Sequence, residues 1–329
     1  MADFYVGIDS GGTKTRARLW MPEKSIKKDF EAGASNFCSA DFQEGAKNIR
    51  ILWEMLKKES GQHAKCLGIG VGAAGFSSPD ALQMFADCMI KAGIENIPVK
   101  IVSDAQAALY GAVEDDSGII LISGTGSVCF GQNKKGKIHQ AGGDGHLIGD
   151  EGSGYAIGRD ILSAVIKELD QRGEKTELTK YVLEEKQFQD IPDIIRYVYG
   201  GGNSKARIAA FAPLLMKAYE DQDQTARRIA KNASERLVEQ ASCVITQLEQ
   251  QEGTLAFSGS ILKKMSMISN AVQSRLQERF QSLKIIEGKS DALDGALYLI
   301  QREAADCYNN HKKERAKNDA DTRTVNGSA

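Results

Sequence analysis

The sequence predicts a duplicated α/β protein with a ligand cleft between its two halves. Three observations carry that expectation. Val6-Gly-Ile-Asp-Ser-Gly-Gly-Thr13 near the start is echoed by Leu121-Ile-Ser-Gly-Thr-Gly-Ser127. Each copy opens a unit that reads strand, Ser/Gly/Thr turn, strand, with helical and extended segments following. The chain has 329 residues, about two domains at roughly 100–200 residues each. Two unrelated hairpins would spell the same way, so the echo alone leaves that alternative open.

The first unit follows from hydrophobic period. Phe4–Asp9 is a short apolar strand ended by Ser10-Gly-Gly12, Thr15–Leu19 alternates, and Ser25–Phe30 is a third extended piece. Phe42, Ile49, Leu52, Met55 and Leu56 recur at helical spacing between Asp41 and Glu59, with Asp41 as N-cap. Cys66–Val71 and Val99–Ser103 read as strands, Pro79–Ala92 and Ala105–Ala112 as helices. The second unit repeats the opening with strands at Gly118–Ser123, Ser127–Asn133 and Ile138–Ala141. A mostly helical stretch from Glu151 to Gln251 follows, then strands at Leu255–Phe257 and Lys284–Ile286 and a last helix, Asp291–Ala305. Domain boundaries are therefore expected at 1–114 and 115–290, with residues 291–310 completing the first domain. Residues 311–329 are polar and are expected to be disordered.

Composition narrows the class. The chain is 42% apolar and 26% charged, which excludes global disorder. Lys+Arg 42 against Asp+Glu 44 gives a net charge of -2, against a broadly basic nucleic-acid binder. The six cysteines form no CxxC pair, so they read as separate reduced thiols of a cytoplasmic protein. No apolar run approaches the roughly 20 residues of a membrane span, and no secretory leader is visible.

Two glycine motifs fail on inspection. Gly70-Val-Gly-Ala-Ala-Gly75 matches the dinucleotide fingerprint, but Phe76-Ser-Ser-Pro79 intervenes where a helix must open on the pyrophosphate. Gly288-Lys-Ser290 resembles the end of a Walker loop, but Leu283 stands where its first glycine belongs. The two Gly/Thr/Ser turns are stronger. Their backbone N–H groups are free to face an anion, and Asp9-Ser-Gly-Gly-Thr-Lys14 adds an acid and a cation that suit a nucleotide phosphate chain with Mg²⁺. Asp104, between a strand and a helix, reads equally as an N-cap or as a general base. Gly142-Gly-Asp-Gly-His-Leu-Ile-Gly-Asp-Glu-Gly-Ser153 exposes backbone and carboxylates together, which suits a polyhydroxylated ligand; its acids lack EF-hand spacing.

The ordered set DSGGTKT, ASN at 34–36, SDAQAAL, LISGTGS, GGDGHLIGDEGS and AFSGS resembles the N-acetylglucosamine kinase branch of the sugar kinase/Hsp70/actin superfamily. That branch belongs to the BadF/BadG/BcrA/BcrD ATPase family. The resemblance runs from Tyr5 to Ala296. It implies two ribonuclease-H-like, actin-like ATPase domains closing on ATP and an amino sugar. It makes Gly11, Gly12, Thr13, Lys14 and Thr15 the first phosphate turn and Gly124, Thr125, Gly126 and Ser127 the second. Gly259 and Ser260 would lie near the adenosine, and Asp9 near Mg²⁺. Asp104 would be the catalytic base on the sugar 6-hydroxyl, with Asn36, Gly143, Asp144, Gly145 and Asp150 around the sugar. Compared with the animal enzymes, Asp144 stands in place of a tryptophan and Val128 in place of an asparagine, which bears on the sugar rather than the phosphates.

The expected activity is thus ATP- and Mg²⁺-dependent 6-phosphorylation of N-acetylglucosamine or N-acetylmuramic acid. Glucosamine is the alternative substrate. An ATPase that activates a partner reductase is the alternative class; it would need clustered cysteines for an iron–sulfur centre. Homodimers are common in the family, but no sequence feature marks an interface.

Overall fold

The computed structural model describes residues 3–11, 14–35, 42–73, 79–115, 117–202 and 204–304. The chain divides into two compact units, Asp115–Gly288 and the segments that flank it on either side. Each unit contains a five-stranded mixed sheet with helices packed on it.

In the flanking unit the strands are β1 (Phe4–Ser10), β2 (Lys14–Met21), β3 (Ile26–Gly33), β4 (Cys66–Ala73) and β5 (Val99–Ser103), in sheet order β3-β2-β1-β4-β5. Alternation explains β2: Thr15, Ala17, Leu19 and Met21 are buried, while Arg16 and Arg18 project from the other face. β3 is a charged edge, with Lys27, Lys28 and Asp29 discouraging further pairing. β1 pairs antiparallel with β2 and parallel with β4, and β4 is parallel to β5. The helix Phe42–Ser60 buries Ile49, Leu52, Trp53 and Leu56. Met55, expected on that face, is 39% exposed because it lies off the 49-52-53-56 stripe, and Trp53 takes its place. The expected cap Asp41 lies outside the described residues.

The other unit has β6 (Gly118–Ser123), β7 (Ser127–Gln132), β8 (Ile138–Gly142), β9 (Thr254–Ser258) and β10 (Lys284–Glu287). Its sheet order, β10-β9-β6-β7-β8, matches the first sheet's strand for strand when read from the β8 edge. The antiparallel β6–β7–β8 meander and the parallel β6–β9–β10 set reproduce the same pairing directions. The expectation of a duplicated α/β fold is met at the level of connectivity. Between β8 and β9 run six helices, of which Gln224–Gln247 is the longest. Ala226, Ile229, Ala233, Leu237, Ala241 and Val244 line its buried side, and Asp223 caps it by accepting from the Ala226 N–H at 2.7 Å. Phe211–Ala212, expected to be helical, form turns before the helix Leu214–Glu220.

The last helix, residues 292–304, belongs to the flanking unit and lies on β1 and β4. Asp291 caps it through the Asp294 N–H at 3.2 Å and also receives Arg18 at 2.8 Å. The helix sits so close that a Cβ on Gly70 would stand 1.9 Å from the Ala296 carbonyl oxygen, and one on Gly7 2.4 Å from that of Leu293. The glycine of the apparent dinucleotide motif is thus a packing glycine, and the following helix begins only at Pro79. Adding a side chain there forces helix and sheet apart. Gly70→Ala should lower the stability of this unit by about 1–3 kcal/mol, the usual cost of overpacking. Both tryptophans, Trp20 and Trp53, lie in this unit, so urea unfolding followed by intrinsic fluorescence reads the effect directly. An unchanged midpoint would contradict the packing role.

Candidate functional site

In the flanking unit the candidate groups gather at the carboxyl ends of β1 and β5. Register places Asp9 opposite Arg16 and Ser10 opposite Thr15, and the hairpin closes with the Gly11 N–H donating to the Lys14 carbonyl at 3.1 Å. Gly12, Thr13 and Asn36 lie outside the described residues. Asp9 accepts from the Arg16 guanidinium at 2.7 Å. Lys14 is exposed and paired with Glu31 at 2.7 Å. Thr15 is wholly buried, and its hydroxyl lies 2.6 Å from that of Ser35, which also meets the Ser10 hydroxyl at 2.8 Å. These three hydroxyls lock the base of the hairpin to the segment that leads into Asn36. Asn48 adds a bond from its side-chain amide to the Ala34 carbonyl at 2.8 Å. Sequence reasoning missed Ser35; its position directly before Asn36 was the available signal.

Asp104 opens the helix Asp104–Val113, but the cap is Ser103, whose side chain accepts from the Gln106 N–H at 3.1 Å. The capping role read for Asp104 therefore falls to its neighbour. Asp104 occupies the first helical position, with its Oδ1 accepting from the Ala105 N–H at 2.8 Å. Its side chain reaches solvent, yet the protein packed around it raises its pKa from the ordinary aspartate range. The Ala105 hydrogen bond opposes that shift and the negative charge of Asp9 adds to it. An exposed-edge carboxylate with raised basicity suits proton abstraction.

In the other unit, the Gly124–Ser127 turn is built into its surroundings. The Gly124 N–H donates to the Gly126 carbonyl at 2.9 Å. The first N–H groups of the helix Gly154–Leu169 grip the turn from below, Gly154 to the Gly124 carbonyl at 2.7 Å and Tyr155 to that of Thr125 at 3.2 Å. The Thr125 side chain is exposed. The Ser127 hydroxyl is buried and donates to the Glu151 carbonyl at 2.7 Å, while the Ser123 hydroxyl donates to the Gly152 carbonyl at 2.8 Å. Asp150, buried and in the left-handed region at φ 63°, accepts from the Ser127 N–H at 3.0 Å. Its other oxygen meets the Lys205 ammonium at 2.7 Å. The Gly142–Ser153 loop is thereby fastened to the turn, with Gly143, Asp144, Leu147 and Ile148 exposed and Gly145 half-buried.

Gly259 lies beside the same turn. A Cβ there would meet the Ser123 carbonyl oxygen at 2.2 Å, and its φ of 88° suits glycine alone. Ser260 is exposed, and its N–H stands 3.9 Å from where a Cβ on Gly124 would be. The structure thus brings together Gly124–Ser127, Gly259–Ser260 and Asp150 in one unit. In the other it brings Asp9 near Asp104 and Gly11 against Lys14, whose side chain turns to Glu31. Sequence reading missed Arg16 and Lys205. Arg16 was legible as the residue facing Asp9 across a hairpin; Lys205 sits in the polar run Asn203-Ser-Lys-Ala-Arg207, which carries no pattern.

The described cysteines, Cys66, Cys88, Cys129 and Cys243, are free thiols. Burial pushes Cys66 up to about 12 and Cys88 to about 11, so neither is a ready nucleophile or ligand. Among the described residues, no helix is long and apolar enough to cross a membrane.

Residues 6–299 match the BadF/BadG/BcrA/BcrD ATPase family, and the chain belongs to it. It is 32% identical over 303 residues to an N-acetylmuramic acid/N-acetylglucosamine kinase of Clostridium acetobutylicum, covering 91% of this chain and 99% of that protein. An N-acetyl-D-glucosamine kinase of Dictyostelium discoideum is 27% identical over 310 residues, 90% of this chain and 97% of the relative. A solved structure from Chromobacterium violaceum, assigned provisionally as an N-acetylglucosamine kinase, superposes with a TM-score of 0.69 at 25% identity, over 91% of this chain and 99% of that one.

The coupling between Asp9 and Asp104 is open to measurement. In an NMR titration of the aspartate carboxyl carbons, Asp104 should titrate above the ordinary aspartate range, and Asp9→Asn should move its midpoint down. A midpoint indifferent to Asp9→Asn would show that the two charges do not communicate.

Proposed function

We propose that this protein is an ATP-dependent kinase that phosphorylates the 6-hydroxyl of an amino sugar, N-acetylglucosamine first and N-acetylmuramic acid second. The observation that carries this reading is a glycine turn at the matching place in each of the two sheets, together with a carboxylate of raised basicity, Asp104, at the edge of the first. Family membership supports the use of ATP, and the names of the two curated relatives support the acetylated sugars.

The chemistry follows from those parts. The Gly11–Thr15 and Gly124–Ser127 turns take the phosphate chain through N–H groups other than those of Gly11, Gly124 and Ser127, which bond within the protein, with Gly259 and Ser260 at the adenosine. Asn36, Gly143, Asp144, Gly145 and Asp150 orient the sugar, Asp150 also holding their loop through the Ser127 N–H. Asp104 accepts the 6-hydroxyl proton as O6 attacks the γ-phosphorus, the new O–P bond forming while the bond to the β-phosphate oxygen breaks. A protonated Asp104 cannot do this, so the raised pKa sets an acid limit on turnover that lies higher than for an ordinary aspartate.

The donor set fits Mg²⁺. Asp9 is a hard oxygen donor with one oxygen on Arg16, and its repulsion of Asp104 is the kind a cation relieves. Asp9 would hold the metal through its water shell. When bound, Mg²⁺ would neutralise charge on the transferred phosphate.

The acetamide sets the substrate preference. A buried site that hydrogen-bonds an acetamide rejects the analogue lacking it, because its own polar groups are then unpaired. Asp144, where the resemblance places a tryptophan in the animal enzymes, removes bulk that would exclude the lactyl ether of a muramic acid, while its carboxylate favours the ammonium of glucosamine over the lactyl carboxylate. The test is ADP release across N-acetylglucosamine, N-acetylmuramic acid, N-acetylmannosamine, glucosamine and glucose. N-acetylglucosamine should lead. A preference for glucosamine of more than about tenfold in kcat/KM, roughly 1.4 kcal/mol, would replace this reading with glucosamine kinase. Asp104→Asn should bind ATP within a few-fold of wild type and lose about 10²–10⁴ in kcat; near-normal turnover would remove Asp104 from the reaction.

A further inference from the structure

We propose that Lys205 is a phosphate-binding residue, the cation of the second turn, and that buried Asp150 is the anion that positions it. The proposal rests on the kinase reading only in taking the Gly124–Ser127 turn as a phosphate cradle.

The geometry is local to one unit. Lys205 stands on the short helix Ser204–Ala209 and reaches back to the turn. Its ammonium lies 2.7 Å from Asp150 Oδ2, and a Cβ on Gly126 would stand 3.1 Å from Lys205 Nζ and 2.6 Å from Asp150 Oδ1. Gly126 is therefore glycine because the ion pair packs directly on the turn's backbone. The two partners differ in access: the Asp150 side chain is 4% exposed, that of Lys205 28%. Asp150 has Oδ1 on the Ser127 N–H and Oδ2 against Lys205, an ion pair without the alignment of a regular hydrogen bond. Among the described residues, Lys205 is the one cationic group within 4.0 Å of it. The more accessible partner, and the one that suits an anion, is the ammonium, which carries three donors.

The chemistry calls for a cation there. The turn supplies only neutral N–H groups to a phosphate chain of several negative charges. Lys14, the cation read from sequence, belongs to the first turn, in the other unit. A lysine ammonium is a compact point charge on a flexible stem, suited to following a phosphate as it moves. Holding it on a buried carboxylate keeps that stem ordered before the nucleotide arrives, which lowers the entropy lost on binding.

The test is calorimetric binding of ATP, ADP and adenosine, each with Mg²⁺ present, to wild type, Lys205→Met, Lys205→Arg and the double variant Lys205→Met/Asp150→Asn. Lys205→Met should weaken ATP and ADP about 10- to 100-fold, the scale of a hydrogen bond to a charged group, and leave adenosine unchanged. Lys205→Arg should recover most of the loss. The double variant removes the unpaired buried anion, so it should restore thermal stability but not ATP affinity. ATP affinity within twofold of wild type in the folded double variant, or equal weakening of adenosine and ATP, would overturn the proposal; so would a wild type that does not bind ATP. If wild type binds ATP in a Lys205-dependent way but phosphorylates no sugar, the kinase reading fails and the assignment of Lys205 stands.

Discussion

The parallel pairing of β1, β4 and β5 is the constraint on which the chemistry depends. Parallel strands run in one direction, so their carboxyl ends share an edge of the sheet. Asp9 and Asp104, far apart in sequence, therefore end close enough for one charge to raise the other's pKa. Loops beyond those ends are released from the ladder and are free to carry function. The second sheet repeats the arrangement, and there the ends of β6 and β9 bring Gly124 next to Gly259 and Ser260.

Close backbone approach is the second theme. Gly7 and Gly70 admit the last helix to the sheet, Gly126 admits the Asp150–Lys205 pair, and Gly259 admits the Ser123 carbonyl. The same residue type serves packing in one place and a ligand turn in another. That double use is why the Gly70 motif imitates a dinucleotide fingerprint while doing the work of a helix contact. It also means that a glycine in the second turn is required by the protein's own side chains, whatever the turn binds.

Much of the fold was legible because it rests on local pattern. Period-2 alternation located β2, and apolar runs bounded by glycine located β1 and β6. The repeated strand–turn–strand spelling announced the duplication now seen in the strand order. What sequence does not show is which way a hydroxyl or carboxylate faces. Thr15 and Ser127 were placed in the two phosphate turns, and both hydroxyls bond inward in the folded chain, one to Ser35 and one to the Glu151 carbonyl. Asp104 looked like a cap until the backbone gave that place to Ser103. Lys205 was invisible for a different reason: its meaning lies in a contact with Asp150, fifty-five positions away, and no local pattern marks it. Asn36, Gly12 and Thr13 lie outside the described residues, so their assignments rest on the motif alone.

The central claim is transfer of phosphate to a sugar 6-hydroxyl, and ³¹P–¹H correlated NMR of a reaction containing ATP, Mg²⁺ and N-acetylglucosamine tests it most directly. The account predicts a new phosphomonoester whose phosphorus correlates with the two protons on C6. Correlation to the anomeric proton instead, or inorganic phosphate as the one new phosphorus species, would contradict it.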